Sequence, residues 1–408
     1  EKKMSKYWGV KKCQTLSSWR LGFHYVLRSL ELEEGDEVLL TPLGIADIVN
    51  AITLLKLKPV FVEMDPNTHN IDTTNLERKI TKNTKVIHIT YLSGMVPNLD
   101  QIIAIAKENN LTVIEDITQN YGATYKGKLV GTFGDFSCFS FHETKNLVGG
   151  QCGAMSINNQ NYVKRAKIIL DKGTDRALIN NKKKYYSWKD IGSEFRSAEL
   201  PAALLYSQLS KFDKIDRKRH VISNYYRKKI LLIDNKNFSI IKSDPKNKSA
   251  NHIFALIFKS LKLRDKFINF MKLKKIFCYF HYFPLHLSSF GKKFDKSKME
   301  NTNKINNGLV RLPLYPGLKK KEILRIISEV KKFNLIKTIK ESYDIKEFFN
   351  TRLPNFKIMA SIYKVFGTET GKEDFGPVQR TDSVITITEH ISQNITKKTK
   401  SNKLVEDY

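Results

Sequence analysis

The sequence predicts an α/β protein: a mostly parallel sheet with helices on both faces, followed by a smaller α+β domain. Three observations carry this. Short apolar, β-branched runs alternate with helical periodicity between Asp36 and Asp116. One run, Leu111 to Ile114, ends in Glu115-Asp116, placing two carboxylates where a buried strand meets the carboxyl edge of a sheet, the edge at which open α/β sheets bind ligands. A second run, Ser137-Cys138-Phe139-Ser140-Phe141, is followed by His142, Glu143, Thr144, Lys145 and Asn146, then by the turn Gly149-Gly150. A lysine between aromatics and a glycine turn is open to desolvation, which favours the neutral, nucleophilic amine.

Taken in order, residues 1–12 show no clear element. A helix begins near Thr15 behind Ser17-Ser18, with Leu21, Tyr25 and Leu30 at helical intervals. Strand 36–41, a helix over about 45–57, strands at 60–63 and 85–90, and a helix over 99–107 lead to the run at Val113. In strand 137–141, alternation sends Cys138 and Ser140 to one face and Phe139 and Phe141 to the other. Strand 153–157, a helix over 162–170 and a long basic helix from about Phe212 follow. The division expected is 1–212, a large domain; 213–335, a small one; and 336–408, unassigned, with a helix at 344–349 and a polar, lysine-rich tail at 383–408.

A chain of 408 residues, 41% hydrophobic and 11% aromatic, holds two domains and a large core. Its formal charge of +29 is spread as lysine through loops and helices with little arginine clustering, which reads as a solvated face and not as a specific nucleic-acid surface. Cys13, Cys138, Cys152 and Cys278 show no C-x-x-C spacing and read as free thiols of a reducing compartment. The most apolar region, Val38 to Val62, is broken by Asp47, Asn50, Lys56 and Lys58, so no bilayer-spanning helix is expected, and the cytoplasm is the default location. His281 and His286 lack further paired ligands, so no metal is expected.

A lysine amine and an acid at neighbouring strand ends are what a pyridoxal phosphate site requires. The run EDITQ followed by GDFSCFSFHETKN and a glycine turn resembles the signature of the DegT-type, fold-type I sugar aminotransferases, and FSFHETKN is most similar to transaminases of nucleotide-linked 4-keto-6-deoxyhexoses. YYSWKDIGSEFRSAELPAALL, NHIF, FHYFPLH and RLPLY are similar to later motifs of the same group, so the resemblance covers about residues 7 to 335.

It implies that Lys145 is the Schiff-base lysine and proton carrier, that Asp116 pairs with the pyridinium nitrogen, that Gln119 lies beside the ring hydroxyl, and that Ser140, Ser18 and Arg20 hold the phosphate. His142, Glu194 and His281 fall on the substrate side; Glu115 caps or pairs locally. The implied enzyme takes an amino group from an amino acid, glutamate by expectation, passes it to a nucleotide-linked keto-deoxysugar, and works as a homodimer with shared active sites. Relatives begin a few dozen residues earlier, so a truncated amino terminus is expected. Three departures motivate the alternative of a catalytically impaired or regulatory protein on the same fold: Trp19 replaces the family glycine, Gly44 replaces an aromatic that packs near the ring, and Glu194 replaces an asparagine.

Overall fold

The computed structural model describes residues 1–10, 12–179, 185–234, 237–241 and 244–342. The expectations for 344–349 and 383–408 lie outside the described residues. Strands β1 (Cys13–Leu16), β2 (Glu37–Leu40), β3 (Lys58–Phe61), β4 (Thr84–Thr90), β5 (Thr112–Asp116), β8 (Phe136–Ser140) and β9 (Gly153–Ile157) form a seven-stranded sheet in the order β1-β9-β8-β5-β4-β2-β3; β6 (Thr124–Tyr125) and β7 (Lys128–Leu129) form a separate hairpin. Only β9 runs against the others. The sheet is therefore mostly parallel, as predicted.

Strand alternation divides the core. Leu39, Ile87, Val113, Phe139 and Phe141 point to one face, and Val38, Leu40, Val86, Ile114 and Cys138 to the other. The first face packs α5 (Leu99–Glu108) through Leu99, Ile102 and Ile105; the second packs α2 (Trp19–Arg28), α3 (Ala46–Leu54) and α6 (Val163–Leu170). The Cys138/Phe139 alternation follows the sequence.

The amino terminus corrects the sequence reading. Residues Lys2–Trp8 form α1, and the expected helix from Thr15 begins only at Trp19, after β1. KKMSKYW has too few apolar residues to show a helical stripe, yet Met4 and Trp8 are buried, and the Trp8 ring meets Phe139 edge-on at 5.1 Å. Burying such a side chain contributes about 1.5–3 kcal/mol, enough for tertiary packing to override weak local propensity.

Beyond α7 (Glu199–Leu209) and α8 (Phe212–Ile230), the strands β10 (Phe238–Ile240), β11 (Phe254–Phe258) and β12 (Leu309–Leu312) make an antiparallel sheet with α9 (Leu261–Leu273) and α10 (Glu300–Gly308). α11 (Lys320–Ser342) continues through the expected boundary at 335. Among the described residues, compactness groups those up to 231 with those from 237 to 323 as one unit, and places 232–234 and 324–342 in a second. Phe212, the first residue of α8, is buried in the core of the large sheet.

Candidate active site

Three parallel strands end together at the carboxyl edge. Thr90 of β4 is in register with Asp116 of β5, and Asp116 with Cys138 of β8. Above this edge lies a cavity of about 200 Å³ lined by Ser18, Arg20, Asp116, Gln119, Ser140, His142 and Lys145, all singled out from the sequence, and also by Thr118, Tyr282 and Gly44. His281 stands just behind: the Gln119 amide Nε2 donates toward its Nε2 at 3.5 Å, while Gln119 Oε1 accepts from the Ser93 N–H at 2.9 Å.

Asp116 is buried, and desolvation raises its pKa to about 6, opposed by the nearby Lys145 amine and by the Thr118 N–H, which donates to Oδ1 at 3.0 Å. Burial lowers the Lys145 pKa, Asp116 raises it, and the Arg20 and Arg311 charges lower it further. The pair therefore shares a low-dielectric pocket that favours an accessible neutral amine. His281 is held neutral, its pKa pushed down to about 3 by burial and by Arg311.

At the start of α2, Ser18 Oγ accepts the Leu21 N–H at 3.2 Å, the expected cap. The Arg20 Nε pairs with Asp47 at 2.9 Å, holding the guanidinium beside the cavity. Trp19 lines the cavity without filling it: its ring is buried and stacks parallel on Phe23 at 5.9 Å. Close approach is supplied instead by Gly153, where a Cβ would meet the Trp19 nitrogen at 2.5 Å, so the first turn of α2 lies directly against β9. At Gly44 no aromatic is present; Tyr282 and Trp19 are aromatics that line this cavity.

Glu194 stands away from this cavity. It bridges to Asp171 and pairs with Lys172 at 3.4 Å and Arg196 at 3.8 Å, and it does not line the cavity of its own chain. The partners sit in a β-bridge that the motif alone could not reveal. Glu115 behaves as read: it is buried and accepts from Tyr91 Oη at 2.5 Å and from the N–H groups of Gly131, Phe133 and Gly134 at 2.6–2.7 Å.

A larger cavity of about 470 Å³ also reaches Lys145, and its walls include Arg311, Phe277, Tyr279 and Tyr315. Arg311 had only its place in RLPLY to mark it. His88 was passed over as part of an apolar strand, although a histidine inside a fully buried run is the informative exception. Among the described residues no group of metal-ligating side chains is found, and no helix is long and apolar enough to cross a membrane.

This arrangement defines a fold-type I aminotransferase, and the donor set fits pyridoxal phosphate: a desolvated amine, a buried carboxylate suited to a ring N–H, and hydroxyl and guanidinium groups at a helix amino terminus for a phosphate. Comparison with known proteins agrees. The chain is 31% identical to dTDP-3-amino-3,6-dideoxy-alpha-D-galactopyranose transaminase of Aneurinibacillus thermoaerophilus, covering 82% of this chain and 88% of that one. It is 29% identical to GDP-perosamine synthase of Escherichia coli O157:H7, again covering 82% and 88%. The fold superposes on the pyridoxal phosphate form of Spr1654 from Streptococcus pneumoniae with a TM-score of 0.74, at 24% identity over 82% of this chain and 90% of that one. Residues 1–331 match the DegT/DnrJ/EryC1/StrS aminotransferase family, and the chain belongs to it; its members are pyridoxal-phosphate-dependent sugar aminotransferases.

Proposed function

We propose that this protein transfers an amino group from an amino acid, glutamate by expectation, to the keto carbon of a nucleotide-linked deoxysugar. The observation that supports this reading is that Lys145 lines both cavities, so one amine serves a small polar pocket and a roomier, aromatic-walled one. The two relatives named above carry nucleotide-linked sugars in their names.

Bound pyridoxal phosphate supplies the electron sink for the carbanion left when a substrate carbon loses its proton. Lys145 Nζ would hold the cofactor and, once displaced by the substrate amine, would move that proton, a task its lowered pKa favours. The Asp116 carboxylate, oriented by the Thr118 N–H, would hold the proton on the ring nitrogen. Gln119, which lines the same cavity, would sit beside the ring hydroxyl. Ser18, Arg20 and Ser140 bind the phosphate, with the amino terminus of α2 adding its dipole. Arg311 binds the substrate diphosphate in the larger cavity, and Phe277, Tyr279 and Tyr315 offer faces for a nucleobase. His142 and His281 contact the sugar side.

The protein works as a homodimer. Tyr185, Trp188, Ile191, Leu200, Leu204 and Tyr206 form an exposed apolar stretch along 185–191 and α7, the kind of surface that marks a partner face, and Glu194 lies in the same region of the chain. Four free, buried cysteines accord with a cytoplasmic setting.

The test is to load the protein with pyridoxal phosphate, add glutamate, remove it, and offer a panel of nucleotide-linked ketosugars, weighing the products. One nucleotide-aminosugar formed in stoichiometric amount is the expected result. Loaded protein that aminates none of them would overturn the substrate class.

A further inference from the structure

His88 lies on β4 two residues before Thr90 and faces the side of the sheet where Asp116 stands on β5. It is fully buried, with its Nε2 3.8 Å from Asp116 Oδ2 and without a hydrogen-bond partner of its own. Its other nitrogen, Nδ1, lies 3.4 Å from Thr90 Oγ1. The ring is held in orientation by the edge-on contact with Phe23 at 4.7 Å. A buried polar atom aimed at a buried carboxylate is costly unless the two are matched.

We propose that His88 is a positioning residue for Asp116: a neutral imidazole whose Nε2–H faces the carboxylate and favours its ionised form. The inference rests on the assignment of Asp116 to the ring nitrogen. The tautomer follows from donor chemistry. An ionised carboxylate only accepts, so Nε2 carries the hydrogen and Nδ1 accepts from the Thr90 hydroxyl. The imidazole stays neutral because burial drives its pKa down to about 3. It thus adds a dipole to Asp116 without adding a charge that would compete with the cationic ring nitrogen.

The other groups that act on Asp116 are Lys145 and the N–H and side-chain hydroxyl of Thr118, which favour ionisation, while Asp116 in turn raises the pKa values of Cys138, Tyr121 and Tyr282. All of these remain when His88 is changed, so a substitution there isolates its contribution. The opposite tautomer, with Nδ1–H donating to the residue's own carbonyl, would turn a lone pair toward Asp116 and disfavour its charge.

The experiment compares wild type, His88→Leu and His88→Gln, the last placing an amide nitrogen near the position of Nε2. Two quantities are read: the titration of the Asp116 carboxyl by ¹³C NMR in the apoprotein, and the dissociation constant for pyridoxal phosphate added to it. His88→Leu is expected to raise the carboxyl midpoint by about one unit and weaken cofactor binding about tenfold; His88→Gln is expected to restore both to within about threefold. An unmoved or lowered midpoint in His88→Leu, or equal loss in both variants, overturns the proposal. Wild type that fails to bind pyridoxal phosphate would sink the cofactor role of Asp116, while the apoprotein titration still decides on His88. If His88→Leu does not fold, ¹⁵N NMR of the wild-type imidazole decides: a proton on Nε2 supports the proposal, and a proton on Nδ1 overturns it.

Discussion

The Asn146 side chain is clamped at both ends: its Nδ2 donates to the Ala250 carbonyl at 3.1 Å, and its Oδ1 lies 2.9 Å from His252 Nδ1. Because an amide oxygen accepts, the neutral His252 ring donates from Nδ1. The His252 carbonyl accepts in turn from Arg219 of α8 at 2.6 Å. Lys145 is therefore attached to α8 through its chain neighbour. Asn146→Ala leaves a buried donor and a buried acceptor unmatched, and is expected to cost about 1–3 kcal/mol of stability. Denaturant unfolding checks it; an unchanged midpoint would show that the clamp does not constrain the loop.

Lys145→Ala removes the amine from a pocket where desolvation already penalises its charge, so the fold is expected to survive. What is lost is covalent capture. After borohydride treatment in the presence of pyridoxal phosphate, wild type should gain the mass of one cofactor and the variant none. Labelling of the variant at the wild-type level would assign the linkage to another lysine.

Asp116 gives a pH dependence with a definite sign. Its pKa is about 6 in the fold against 3.8 for the free side chain, so between those values the folded apoprotein binds more protons than the unfolded chain. The stability from this residue is present below pH 3.8 and is lost as pH rises to about 6. Asp116→Asn removes that penalty. The apoprotein variant is expected to be more stable than wild type at pH 7, by up to about 3 kcal/mol at 1.36 kcal/mol per pH unit, with the gain vanishing near pH 4. Amino-acid half-reaction rates should fall by orders of magnitude. A variant no more stable at pH 7 than at pH 4, relative to wild type, would refute the linkage.

How far the sequence reached follows from the range over which each residue acts. Cys138 and Phe139 were assigned to opposite faces correctly because alternation is local to one strand. Asp116 and Lys145 were placed at one edge because both follow buried strands. By contrast, α1 escaped because rings distant in sequence, among them Tyr121, Phe139 and Phe212, make Trp8 a core residue. The orientation of the Trp19 ring depends on its stack with Phe23, and Glu194 lies in a bridge to Asp171 that no spacing rule shows. His88 and Arg311 acquire meaning only once Asp116 and Lys145 have been located in space.

Glu115 separates structure from chemistry next door to Asp116. It gathers the Tyr91 hydroxyl and three backbone N–H groups from the 131–134 loop, donors that offset the burial that raises its pKa. Glu115→Ala strands all four donors in the interior, and a loss of about 3–5 kcal/mol is expected. Hydrogen exchange should show the 131–134 amides opening first, and protection at wild-type level would contradict the account.

Arg311 is where recognition of the acceptor can be told from general catalysis. Its backbone pairs with Tyr279, the N–H donating at 2.8 Å, and its guanidinium lies 5.3 Å from the centre of the Tyr279 ring. Among the described residues no carboxylate pairs with it, so its charge is available to an anion and meanwhile depresses the proton affinity of Lys145 and His281. A charge-assisted contact is worth about 1.5–3 kcal/mol, or roughly 10- to 150-fold in binding. Arg311→Met is therefore expected to raise the KM for the nucleotide-sugar by about that factor while the half-reaction with the amino acid stays within about threefold. Arg311→Lys, which keeps the charge and loses the fork, should recover part of the affinity. Removing the cation also lets the Lys145 pKa rise, so the limb of the pH–rate profile that reports the neutral amine should move to higher pH in Arg311→Met and hold its place in Arg311→Lys. If the amino-acid half-reaction falls as far as the acceptor half, Arg311 serves both substrates, and the larger cavity is not the acceptor's own site.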